Sequence, residues 1–288
     1  MKLQTIVEIA HSSWKIGYED IILMVGSCFS DEIGAQLTQR AMQVTCNPFG
    51  TLYNPLSIAQ ALTMTEMPEL IQHEGLWHAM SHHGSVSRAD KAEAEQAVRD
   101  SIDTMQQALQ EASVVIVTFG TAWVYEMNGE IVGNCHKLPE SCFTRRRLSV
   151  EEIVAAWRPV LERYPDKHWL FTVSPIRHIK DGLHENQLSK ATLLQAVECL
   201  TAEGGLTVQR SYSVTVLQTK AVYFPSYEIM LDELRDYRFY ADDLVHPSSL
   251  AVNYIFERFI DTFCTPQTRN EMTIQLKRWK QSQHRPLH

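Results

Sequence analysis

The sequence contains no apolar run approaching the roughly 18 residues needed to cross a bilayer. Its opening stretch, MKLQTIVEIAHSSWKIGYED, lacks the apolar segment and small-residue cleavage site of a secretory leader. Together these absences point to a cytoplasmic protein with no membrane partner. Positive charge is also short: 26 Lys and Arg face 34 Asp and Glu, a formal net charge of -8. Nucleic acid and anionic membranes need a basic face, so neither is expected as the main partner. The densest basic run, Arg145-Arg146-Arg147, is too short to change this. The six cysteines (Cys28, Cys46, Cys135, Cys142, Cys199 and Cys264) have no repeated spacing and form no CxxC pair, which disfavours a disulfide scaffold or a zinc site. HExxH is missing, and so are internal repeats and low-complexity linkers. The 288 residues, 44% hydrophobic, therefore read as one domain over 1–288 with a C-terminal helical extension from about 265 to 288.

What is present is an alternation of short apolar runs and longer amphipathic ones. Ile21–Val25, Val114–Phe119 and Trp169–Val173 are apolar on both faces, the pattern of parallel strands covered on each side. Gln43–Thr45 and Ala221–Tyr223 are weaker strands. Helices are expected over Ser30–Met42, Lys91–Glu111, from Ser149 with Glu152 completing a capping box, Leu188–Glu203 stopped by Gly204-Gly205, Ser248–Phe263 and Thr268–Gln281. Met127-Asn128-Gly129-Glu130 reads as a hairpin turn. Alternating strands and helices imply an α/β domain with a mostly parallel sheet, whose functional groups gather beyond the carboxyl ends of its strands.

That rule singles out a few stretches. Ser27 follows the first strand and Gly26, and it opens a helix. A glycine turn can hold the hydroxyl clear, and the helix N-terminus favours a developing oxyanion. The same residue suits a plain N-cap. A base is available far along the chain, where Asp243 and His246 stand three apart in a loop before a helix. The carboxylate can fix the tautomer of the imidazole and stabilise its charged form. Cys28 is a rival nucleophile, because it too lies at the helix start.

Val-Gly-Ser-Cys-Phe-Ser at 25–30 resembles the name-giving motif of the GSCFA proteins, a branch of the SGNH (GDSL-like) hydrolase superfamily. The resemblance runs from about Gly26 to about Phe259. It includes Asn47-Pro48-Phe49-Gly50, Trp77-His78 with His82-His83, Phe119–Trp123, Ser174–His178, Asn186 with Ser189-Lys190, and Asp243-x-x-His246-Pro247-Ser248. It implies a three-layer α/β/α sandwich with about five parallel strands in flavodoxin-like order. It also implies Ser27 as nucleophile with Asp243 and His246, an oxyanion site at the N–H groups of Ser27 and Gly50, and no cofactor. The superfamily's G-x-N-D block departs here to Gly120-Thr121-Ala122-Trp123, without the asparagine. Asn47 is the first substitute, followed by His82, His83 and His178.

The resemblance implies a serine esterase acting on a small acyl ester, possibly an O-acetylated carbohydrate. An acyltransferase using the same triad and a binding protein with a degraded site are the alternatives. No metal is expected, since His78-x-x-x-His82 lacks a helical setting. His82, His83, Gly120, Trp123, Arg177 and His178 are the expected substrate-binding residues, and Arg177 is open to an anionic group. The aperiodic stretch 65–89 reads as a lid or recognition loop. Trp77, Trp123, Tyr125 and Tyr53 suit a sugar-stacking surface.

Overall fold

The fold is taken from a computed structural model of the chain that describes residues 4–202 and 221–283. The expected stop at Gly204-Gly205 lies outside those residues. The first half contains β1 (Ile21–Gly26), α1 (Cys28–Thr38), β2 (Gln43–Cys46), α2 (Pro55–Thr63), β3 (Leu70–His73), β4 (Leu76–Ala79), α3 (Lys91–Glu111) and β5 (Val114–Phe119). Next come β6 (Trp123–Met127), β7 (Glu130–Val132), β8 (Thr144–Arg147), α4 (Val150–Arg163), β9 (His168–Val173) and α5 (Leu183–Thr201). The chain resumes with β10 (Ala221–Phe224), the one-turn α6 (Ser226–Glu228), α7 (Ser249–Phe263) and α8 (Pro266–Gln283).

The apolar runs pair in parallel as a five-stranded sheet in the order β10-β9-β5-β1-β2. Counted along the chain, this is the flavodoxin-like order 2-1-3-4-5. Side chains alternate between two cores. Leu23, Val25, Val115, Val117, Trp169 and Phe171 pack with α2 to α5. Ile22, Met24, Val114, Ile116 and Leu170 pack on the opposite face with α1, α7 and Met272 of α8. Helices on both faces complete the three-layer sandwich.

Local chemistry sets the boundaries. Ser27 caps α1, so the helix begins at Cys28 and not at Ser30. The capping box of α4 is complete: Ser149 Oγ accepts from the Glu152 N–H, and the Glu152 carboxylate accepts from the Ser149 N–H at 2.8 Å. The hairpin at Asn128-Gly129 joins β6 to β7, and both residues have positive φ. The stretch 65–89, expected as a loop, carries regular structure. It folds as the antiparallel pair β3–β4 followed by a short 3-10 turn at Gly84–Val86. Among the described residues no helix is long and apolar enough to cross a membrane.

Candidate active site

In a sheet of this order, the crevice opens beyond the carboxyl ends of β1 and β5, where the winding direction reverses. A cleft of about 580 Å³ lies there, lined among others by Cys28, Tyr53, Trp123, Arg177, His178 and His246. That volume suits a small ligand. A groove of about 670 Å³ between Lys15–Glu19 and α8 holds none of the motif residues.

The turn after β1 decides which side chain reaches the cleft. Gly26 has φ 134°, and a Cβ there would fall 2.2 Å from the Thr118 carbonyl oxygen, so only glycine fits. Ser27 then takes the extended N-cap conformation and is 1% exposed. Its Oγ turns back to accept from the Phe29 N–H at 3.3 Å, and its own N–H donates to Thr118 at 3.2 Å. The hydroxyl is therefore not held clear, and Ser27 does not line the cleft. Cys28, the first helical residue, is half-buried and does line it. At that position in α1 its N–H has no intrahelical acceptor, which leaves a donor and the positive end of the helix beside the thiol. Burial, then Asp31 and Glu32, push the Cys28 thiol up, while its own N–H and Lys190 pull it down.

The loop before α7 carries the Asp243–His246 pair. Asp243 accepts from the N–H groups of Val245 and His246 at 2.9 and 3.0 Å, and its other oxygen meets His246 Nδ1 at 2.6 Å. Those backbone and ring donors hold the Asp243 carboxyl at about 2, so it is ionised at neutral pH. With Nδ1 engaged, the ring's Nε2 is left for the cleft, which His246 lines. Arg177, just past β9, ties this loop down: its N–H donates to the Val245 carbonyl and its guanidinium to the Leu244 carbonyl, both at 3.1 Å. The guanidinium also lies over Tyr240 at 5.2 Å, so Arg177 holds this loop from the cleft wall.

Other expected site residues are engaged elsewhere. Asn47 Oδ1 accepts from the Gly26 N–H and its Nδ2 donates to Asp31, each at 2.8 Å, so it braces the β1 turn. The Gly50 N–H donates to the Asn47 carbonyl at 2.7 Å and is not free for an oxyanion. Gly120 gives its N–H to the Tyr53 carbonyl at 2.8 Å. His82 is buried, stacked on Phe49 at 3.9 Å and bonded to Ser81 and Ser101. His83 accepts from the Ser85 N–H and packs against Gly50. None of these five lines the cleft. Trp123 and His178 do. The Trp123 indole is covered on one face by the Arg145 guanidinium at 3.9 Å, itself paired with Asp181 at 2.5 Å. Burial, with Lys190 and His246 nearby, brings His178 down to about 3 and keeps it neutral at ordinary pH.

Three groups gain weight from the structure. Tyr53 faces the cleft, and its hydroxyl is pushed up by burial, Cys28 and Asp31. Arg145, from the Arg145-Arg146-Arg147 run, stands at the cleft wall while Arg146 pairs with Glu126 and Glu152. Lys190 belongs to a stripe of buried positions on α5, Asn186, Ser189, Lys190 and Leu193, whose helical spacing is readable in the sequence. The polar members of that stripe brace the cleft: Asn186 accepts from the His178 N–H at 2.9 Å, and Ser189 from the Ala122 N–H at 2.8 Å. Among the described residues no group of three or more His, Cys, Asp or Glu could hold a metal ion.

The GSCFA family model matches residues 21–259, and the chain belongs to the GSCFA family. No curated protein and no solved structure matches it.

Proposed function

We propose that this member of the GSCFA family is an acyl-ester hydrolase of SGNH-like architecture, with Cys28 as nucleophile, His246 as general base and Asp243 as the group that orients it. One observation carries this: Cys28, at the start of α1, and His246, already bonded to Asp243, line one cleft, while Ser27 is buried as a helix cap. The nucleophile is thus moved one residue along from the serine that the family resemblance indicates. The raised Cys28 thiol is protonated in the resting protein, so the chemistry calls for a base acting during attack instead of a preformed thiolate.

In this scheme His246 Nε2 takes the Cys28 proton as Sγ adds to the acyl carbonyl. The oxyanion meets the Cys28 N–H at the helix N-terminus. Collapse breaks the C–O bond, and His246 returns the proton to the departing alcohol, leaving a thioester. Water, deprotonated by His246, then releases the acid and restores the thiol. Tyr53, Trp123 and Tyr125 give the cleft an aromatic wall compatible with an O-acetylated sugar.

The test is turnover of an activated acetyl ester by single variants. Cys28→Ala should lower kcat/KM by about 10³-fold or more, whereas Ser27→Ala should stay within about 10-fold of the parent. The reverse ranking overturns the assignment. Added acceptor sugars that divert the acetyl group from water would identify a transferase with the same residues.

A further inference from the structure

An acetyl group fills only a small part of a cleft of about 580 Å³, so the alcohol portion of the ester must occupy most of it. One wall is a single face of the small sheet β7-β6-β8. Trp123 and Tyr125 stand two apart on β6 and therefore point the same way, and Val132 and Arg145 are the strand partners of Tyr125 on either side. All four line the cleft. A second stretch of wall is the segment past β9, which brings in Arg177, Lys180 and Asp181. Arg145 joins the two: its guanidinium lies on the Trp123 ring at 3.9 Å and gives one Nη to Asp181.

A guanidinium has five N–H donors. That of Arg145 makes no other hydrogen bond among the described residues, and the side chain is 32% exposed. Lys180 is exposed and makes no hydrogen bond or ion pair among them. The lining thus carries three fixed cations against one carboxylate, in a chain whose net charge is -8. Asp243 and Glu185 stay outside the lining with partners of their own, His246 and Arg147. A positive patch in a walled cleft draws in anions. A guanidinium stacked on a ring and pinned at one edge is also pre-organised, and its planar fork matches a carboxylate.

We propose that the cleft selects esters whose alcohol portion carries a carboxylate: Arg145 donates to that group, Lys180 adds a second cation, and Trp123 and Tyr125 support the body of the alcohol. The placing of the ester bond rests on the hydrolase reading; the carboxylate site does not need turnover. Asp181 competes with the ligand for Arg145 and so sets how strongly the anion is held.

The experiment compares para-acetoxybenzoate with its uncharged methyl ester in wild type, Arg145→Gln, Lys180→Gln and Asp181→Asn. The ratio of the two kcat/KM values is followed from protein to protein, so that the intrinsic reactivity of each ester cancels. Arg145→Gln should lower the ratio by about 10-fold and Lys180→Gln by about threefold. Asp181→Asn should raise it by about threefold, because it releases Arg145 and removes the competing charge. A pair that only braced the wall would move the ratio the same way in the Arg145 and Asp181 variants, and that result, or no shift in either, overturns the proposal. If Arg145→Gln does not fold, the opposite shifts of Lys180→Gln and Asp181→Asn decide the matter. Calorimetric binding of the products, para-hydroxybenzoate against its methyl ester, repeats the comparison without turnover. The same ordering of variants in a protein that cleaves neither ester upholds the carboxylate site and sinks the hydrolase reading. Cys28-dependent cleavage of both esters, with a ratio unmoved by all three variants, does the opposite.

Discussion

Ser27 and Cys28 are neighbours in sequence but differ in role because the helix begins between them. Ser27 has the extended backbone of an N-cap and turns its hydroxyl onto the Phe29 N–H, while Cys28 starts the helical turn and faces the cleft. Removing the cap should cost about 1 kcal/mol. Ser27→Ala should therefore melt a few degrees lower while keeping most of the ester turnover proposed for Cys28. A variant as stable as the parent would contradict the capping role. At this scale the sequence was only partly legible. It located the Gly-Ser-Cys turn and the Asp243–His246 pair, whose 2.6 Å bond follows from three-residue spacing in a tight loop. It did not resolve which of two adjacent side chains faces the cleft, because that depends on a one-residue choice of helix start. Asn47 and Gly50 are engaged locally: the Asn47 Nδ2 donates to Asp31 of α1 and the Gly50 N–H closes the turn after β2, uses that no motif spells out.

At the scale of elements, the loops after β1, β5, β9 and β10 must converge, and polar side chains on α5 and around β9 hold them. Arg177 shows this most directly, with two hydrogen bonds to the Leu244–Val245 carbonyls beside the base. Arg177→Ala should leave the fold intact and lower kcat by about 10-fold through a looser His246, since small displacements of a catalytic group are expensive. A melt and a Michaelis curve on the same preparation check it; an unchanged kcat would show that the loop holds itself. The capping box of α4 offers a control far from the cleft. Ser149→Ala should cost about 1 kcal/mol of stability with kcat unchanged. The β1, β5 and β9 strands were readable because both faces are buried and their runs are unbroken. The stretch 65–89 was not, because β3 and β4 are short and half-exposed, which leaves little periodicity to read.

For the whole molecule, the parallel sheet puts its switch point between β1 and β5, and Cys28 and His246 both line the cleft there. The same framework buries histidines that have no part in the proposed chemistry. His82 and His136 are each brought down to about 4, first by burial, so the fold favours their neutral forms. The unfolded chain takes up their protons near pH 6.5, earlier than the folded one does. Their contribution to stability is complete above that pH and is lost as pH falls from there through about 4. Melting temperature should therefore drop between pH 7 and pH 5, and His82→Gln should flatten that slope. A melting temperature independent of pH across this window would contradict the burial argument.

The most direct measurement asks where the acyl group goes. The protein is mixed with an activated acetyl ester, quenched in acid within one turnover, digested and mapped by mass spectrometry. The account predicts an acetyl adduct on Cys28 that neutral hydroxylamine removes, as a thioester requires. An adduct on Ser27 that resists that treatment would contradict it.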